Sequence, residues 1–158
     1  MRSPTPATGG ALTPQQIADA VRIGMYAADR ASQALGITID AMTPGRATLR
    51  MTVRPDMLNG LGSCHGGLIT TLADSAFACA CNSYNELTVA SGLAIELLAP
   101  AYEGDVLVAA ASEASRRGRL GIYDVAVTNQ RGERVALMRG RSYSAKGKPT
   151  VELPATRI

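Results

Sequence analysis

The chain has 158 residues, 46% of them hydrophobic and 18% charged, with a formal net charge of +3. That length suits one domain around one sizeable core. Its longest apolar run falls short of the ~18–20 residues a membrane span needs, because Asp74 interrupts it.

The opening MRSPTPATGGALTP lacks the apolar core of a secretion signal. Residues 1–12 read as a disordered leader, and a cytoplasmic location follows. Thr13 is placed to cap a helix, with Pro14 at its first position and Gln16 completing a capping box. Ile17, Val21, Met25 and Ala28 repeat at helical spacing, so one helix is expected over Pro14–Ala34, stopped by Gly36. Ile37–Ala41 reads as a strand, and Thr43-Pro44-Gly45 as a turn. Over Arg46–Arg54, Ala47, Leu49, Met51 and Val53 alternate with Arg46, Thr48, Arg50, Thr52 and Arg54. Strict period two means a strand with one buried and one wet face, as in an antiparallel sheet.

A loop, Pro55–Cys64, leads into the apolar segment His65–Ser83, rich in Ala and Leu and poor in β-branched residues. This is a helix without a polar face, so it must be surrounded by protein. Four strands follow: Leu87–Leu98, Asp105–Ser115, Arg119–Thr128 and Glu133–Ala145, the last two joined by a hairpin around Gly132. The domain therefore spans residues 13–148, and 149–158 form a loose tail. An α+β architecture satisfies this order, with an antiparallel sheet wrapped around a central buried helix. One sheet covers one side of that helix, and a second subunit is the natural cover for the rest.

Cys64, Cys79 and Cys81 are odd in number and form no CxxC, so they read as buried reduced thiols. His65 is the only histidine, and no metal-ligand set emerges. The basic residues gather late, from Arg116, Arg117 and Arg119 through Arg131, Arg134, Arg139 and Arg141 to Lys146 and Lys148. No aromatic-interleaved basic motif accompanies them, which argues against nucleic acid; a phosphorylated small molecule and a merely solvated face are the remaining readings.

Asp74 is the only formally charged residue between Asp56 and Glu86. A carboxylate amid such a run is costly unless hydrogen-bonded or used. Thr70 and Thr71 stand within reach to satisfy it locally; the alternative is a general base or nucleophile in a cleft. At the helix start, Cys64-His65-Gly66-Gly67 offers free N–H groups, a positive dipole end and close backbone approach, which suit a carbonyl oxygen gaining charge. A plain glycine-containing helix start is the bland counterpart. Asp74 lies eight residues beyond Gly66, about 12 Å along a helix at ~1.5 Å per residue. Both groups must approach within ~3 Å of one reacting centre. If both are used, they meet across a dimer interface.

The stretches LNGLGSCHGGLITTLADSAFACACNS, TVASGLAIELLAPAYEGDVLVAAA and GIYDVAVTNQRGERVALMRGRS closely resemble the hotdog-fold thioesterases of the phenylacetate-degradation type. The resemblance runs from about Ile37 to Lys146 and rests on the combined pattern N-x5-HGG-x4-LAD. It implies a hotdog fold and hydrolysis of (hydroxy)phenylacetyl-CoA or related aryl or medium-chain acyl-CoA thioesters, in a homodimer or dimer of dimers. By resemblance, Asp74 is the catalytic acid and Gly66 the backbone donor to the thioester carbonyl. Asn59 orients water or thioester, and His65 holds substrate or leaving group. Gly67, Ser75 and Ser91 belong to the substrate-binding set, with Thr70 and Ser75 flanking the acid. No metal or cofactor is implied, coenzyme A being part of the substrate, and the late basic residues gain a use on its phosphates. The implied partners are acyl-CoA and copies of the chain, with no membrane. A non-catalytic acyl-CoA binding module and a hydratase or dehydratase on the same fold are the competing functions.

Overall fold

The computed structural model of the protein describes residues 11–154. The expected leader lies outside the described residues apart from Ala11 and Leu12. Thr13 caps α1 (Pro14–Ala28) through the anticipated box: Gln16 N donates to Thr13 Oγ1 at 3.2 Å and Thr13 N to Gln16 Oε1 at 2.8 Å. The helix does not continue to Ala34 as one piece. At Asp29 the backbone leaves helical geometry (φ −85°, ψ 81°), and the Asp29 carboxylate accepts from Ser32 N at 2.9 Å and Ser32 Oγ at 2.6 Å. Asp29 thereby ends one helix and caps the next, α2 (Arg30–Ala34). A short acidic side chain competing for nearby N–H groups is the physical cause.

β1 (Thr38–Thr43) turns at Gly45, φ +75°, into β2 (Arg46–Thr52). In β2 and just beyond, Ala47, Leu49, Met51 and Val53 are buried while Arg46 and Arg50 face solvent, as the alternation requires. After the loop comes α3 (Gly66–Asn82), then β3 (Thr88–Leu97), β4 (Val106–Arg117), β5 (Leu120–Thr128) and β6 (Arg134–Ser144). The strands form one six-stranded sheet in the order β1-β2-β4-β5-β6-β3, and every neighbouring pair is antiparallel. No helix among the described residues is long and apolar enough to cross a membrane.

α3 buries Ile69, Leu72, Ala73, Ala76, Phe77 and Ala80 on the sheet. Phe77 meets Tyr123 with ring centroids 5.6 Å apart, and its edge fills the place of a side chain at Gly140, where a Cβ would lie 3.0 Å from the ring. The helix is not surrounded on all sides, however. Thr70, Thr71, Asp74, Ser75 and Ala78 stay half-buried in the single chain.

Asn82, at the end of α3, is a buried hub. It donates to the carbonyls of Ala78 (3.0 Å) and Thr88 (2.8 Å) and accepts from Thr88 N (3.0 Å) and Thr150 Oγ1 (2.8 Å). Helix, edge strand and chain end are thus joined through one amide. Asn82→Ala strands several buried polar groups at once, so a loss of about 2–4 kcal/mol is expected, to be read as a lower urea midpoint at unchanged slope. Of the expected tail, residues 149–154 are described and 155–158 lie outside the described residues. Asn85 Oδ1 accepts from Thr150 N (3.1 Å) and Val151 N (2.9 Å), and Val151 packs against α1 at Gly24, where a Cβ would meet Val151 Cγ1 at 2.7 Å.

β3 forms one edge of the sheet, and its outer rim is unpaired among the described residues. It exposes Val89 (56%), Leu93 (44%) and Leu97 (53%).

Candidate active site

Asp74 sits mid-way along α3 and is half-buried. Among the described residues its carboxylate has no hydrogen bond and no ion pair, and burial pushes its pKa up from the ordinary carboxylate range. Local satisfaction by its neighbours does not occur. Thr70 Oγ1 donates to Gly66 O and Thr71 Oγ1 to Gly67 O, each at 2.8 Å. The Ser75 hydroxyl lies 3.1 Å from Ser32 Oγ, whose own proton goes to Asp29. Ser75 is therefore the donor toward Ser32, on the flank where α2 docks. The three hydroxyls nearest to Asp74 in sequence all act elsewhere, which leaves a desolvated carboxylate free to take a proton or attack.

Gly66 opens α3, and His65 caps it: Gly67 N donates to His65 Nδ1 at 3.1 Å. The N–H groups of Leu68 and Ile69 go to the His65 carbonyl at 2.9 and 3.3 Å. Of the first-turn donors, the Gly66 N–H alone has no partner among the described residues, and it stands at the positive end of the helix dipole. Leu97 of β3 lies directly on this residue, since a Cβ at position 66 would come within 2.6 Å of Leu97 Cδ1. A side chain at position 66 would have to displace the end of Leu97. A cavity of about 260 Å³ opens here, lined by Asn59, Ser63, Cys64, Gly66, Ile69 and Leu97 among others.

The structure therefore brings Asn59 and Gly66 to one cavity; His65 and Gly67 flank Gly66 in the chain but do not line the cavity. The Asn59 side chain organises its own loop, accepting from Leu61 N (2.9 Å) and Ser63 N (3.3 Å) and donating to Ser63 Oγ (3.1 Å). His65 is exposed, with one ring nitrogen engaged in the cap. Ser91 is exposed at a bulge of β3, and its hydroxyl donates to Arg141 O at 3.2 Å. Asp74 and Ser75 stand apart from this group: eight residues separate Gly66 and Asp74 on a continuous helix, about 12 Å at ~1.5 Å per residue. Sequence reasoning missed Leu97 over Gly66 and the Asp29–Ser32–Ser75 chain. The first had no sequence signal; the second had one, an aspartate inside a helical run.

Cys64, Cys79 and Cys81 are buried free thiols, and burial holds Cys79 and Cys81 up at about 12, far from thiolate chemistry. Of the late basic residues, Arg116 pairs with Glu86 at 2.8 Å and stacks on the Tyr84 ring, Arg131 pairs with Asp105 and Glu133, and Arg139 with Asp124.

A helix held in the curve of one antiparallel sheet is the hotdog architecture. The thioesterase superfamily matches residues 61–136. The acyl-coenzyme A thioesterase PaaI of Escherichia coli (strain K12) is 45% identical over 128 residues, 81% of this chain and 91% of that protein. The structure of the E. coli PaaI protein from the phenylacetic acid degradation operon superposes with a TM-score of 0.84 at 42% identity, over 86% of this chain and 99% of that one. The TT0310 protein of Thermus thermophilus gives 0.70 at 36% identity, over 73% of this chain and 97% of that one. The chain belongs to the thioesterase superfamily and is an enzyme of the thioesterase class.

Proposed function

We propose that the chain hydrolyses acyl-coenzyme A thioesters, with phenylacetyl and hydroxyphenylacetyl among the acyl groups, in a site shared by two subunits in the cytoplasm. The observation that carries this reading is the separation of two unspent groups on one helix: a free Gly66 N–H at its start and a desolvated Asp74 about 12 Å further on. The exposed β3 edge supplies the seam at which a second copy joins, antiparallel by two-fold symmetry. Identity to a coenzyme A thioesterase supports the thioester class.

In this reading the thioester carbonyl oxygen accepts from Gly66 N–H, and Asp74 of the partner subunit faces the carbonyl carbon. Water, activated by that carboxylate, adds to the carbon, or the carboxylate adds first and water releases it. The C–S bond then breaks, its electron pair leaves on sulfur, and a proton restores the thiol. Asn59 shapes the loop over the carbonyl, His65 stands where substrate enters, and Gly67, Ser75 and Ser91 complete the surroundings. The chemistry asks for no metal or further cofactor. Dimers paired into tetramers are the proposed assembly.

The test is release of free coenzyme A thiol from a panel of aryl-acyl and straight-chain thioesters. Turnover with a preference for aryl-acetyl groups is expected. Tight binding without thiol release would replace hydrolysis by a binding role, and a hydroxyacyl product with coenzyme A retained would mean a hydratase.

A further inference from the structure

Lys146 and Lys148 flank Gly147, φ +80°, in the turn after β6. This turn is fixed to the start of β3 from both sides: Leu87 N donates to Lys148 O and Ala145 N to Leu87 O, each at 2.8 Å, and Lys148 N closes the turn on Ala145 O at 3.1 Å. Beside it lies the β4–β5 hairpin with Arg116 to Arg119. Arg119 N–H groups and carbonyl meet Ser144, since Ser144 N donates to Arg119 O at 2.8 Å and Arg119 Nη1 to Ser144 O at 3.4 Å. Two open hollows share Arg116 here, one of about 500 Å³ reaching Lys148 and one of about 330 Å³ reaching Lys146.

The acids bordering these hollows are already engaged. Glu86 pairs with Arg116, and Glu113 Oε2 accepts from the Tyr84 and Tyr123 hydroxyls, each at 2.9 Å. Lys146 and Lys148 have no acidic partner among the described residues, and both are exposed. The surface is therefore a preset, uncompensated cationic turn beside a fixed guanidinium, suited to phosphate oxygens.

Symmetry gives this turn its place. When the β3 edges of two copies pair antiparallel about a two-fold axis, the Leu87 end of one strand lies against the Leu97 end of the other. Leu97 packs on Gly66, and Leu87 carries the lysine turn. In such a pair, centred near Gly92, the cations of one subunit would stand at the mouth of the cavity that holds the other subunit's Gly66.

Resting on the acyl-coenzyme A reading, we propose that Lys146 and Lys148, with Arg116 beside them, form the phosphate-binding element for the carrier of the thioester bound at the partner's Gly66. The carrier's phosphates stay on the surface, while the uncharged pantetheine arm passes into the cavity. These are binding residues, so their loss acts on KM and not on the chemical step.

The experiment compares phenylacetyl-CoA with phenylacetyl-pantetheine, which lacks the phosphates, for wild type and a Lys146→Glu/Lys148→Glu variant. KM for the coenzyme A thioester is expected to rise about tenfold or more, with kcat held and KM for the pantetheine thioester unchanged. Added salt should raise the wild-type KM for the coenzyme A thioester and hardly move that of the variant. The Lys146→Arg/Lys148→Arg variant should behave as wild type. An equal change for both thioesters, or none, overturns the proposal. If wild type hydrolyses neither, the functional reading fails. The turn is then judged by adenosine 3′,5′-bisphosphate: binding lost in the Glu variant supports it, and no binding by wild type overturns it.

Discussion

Asp74→Asn is expected to lower kcat by about a thousandfold or more while leaving fold and assembly intact, because it removes the one proton acceptor or nucleophile beside the carbonyl. Asparagine matches the shape of aspartate, so KM should change little. The pH dependence has a fixed sign. Burial raises the Asp74 pKa, and the reaction needs the ionised form, so activity falls as pH drops through a value above the usual carboxylate range. Stability follows the opposite course. A folded-state pKa above the unfolded one contributes stability that is present below the unfolded value and lost as pH rises through the folded value. Asp74→Asn should therefore melt higher than wild type at neutral pH, and the difference should close as the solution is made acid. Equal melting at neutral pH would mean that the carboxylate is not desolvated. Undiminished turnover by the variant would return Asp74 to a packing role. Incorporation of labelled oxygen into Asp74 in a single turnover separates direct attack from activation of water.

Gly66→Ala should be nearly as damaging, with kcat lowered by about a hundredfold to a thousandfold. A methyl group there comes within 2.6 Å of Leu97 Cδ1, so either Leu97 or the helix start must move and the N–H loses its aim. Adding Leu97→Ala relieves the crowding but leaves the methyl beside the carbonyl site, so activity should stay low. The decisive measurement mixes the two damaged proteins. Random exchange of Asp74→Asn and Gly66→Ala subunits makes half of the dimers hybrid, and each hybrid holds one site with both groups intact. About a quarter of wild-type activity should then reappear, as the symmetry of a two-fold interface requires. Recovery that stays at zero after verified exchange would place both groups in separate, unshared roles.

Some of this was legible in the sequence for a simple reason: one physical preference acted alone. The alternation of Ala47, Leu49, Met51 and Val53 with polar partners needs only a sheet with one covered face, and that is what β2 shows. Asp74 stood out because nothing else charged lies near it in sequence. Legibility failed where two preferences competed. Asp29 has helix formers on both sides, yet its carboxylate bonds to Ser32 and divides the expected helix in two. Thr70 and Thr71 are correctly spaced to reach Asp74 but find helix carbonyls closer. The hold of Asn85 on Val151 joins residues far apart in the chain, and no local pattern announces such a bond. The seat of Leu97 on Gly66 is of the same kind, for it depends on where the edge strand ends relative to the helix start.

If the β3 edge is the seam of the proposed dimer, it also bears on the chain's life before a second copy joins it. A newly folded copy presents a row of unpaired backbone groups, flanked by Val89, Leu93 and Leu97, to any extended segment it meets. Pairing with a second copy in the right register and pairing in a wrong one draw on the same hydrogen bonds. Correct assembly is then a race decided by concentration and by the closing-off of that edge, and conditions that hold the chain as a monomer should yield precipitate rather than a soluble half-enzyme.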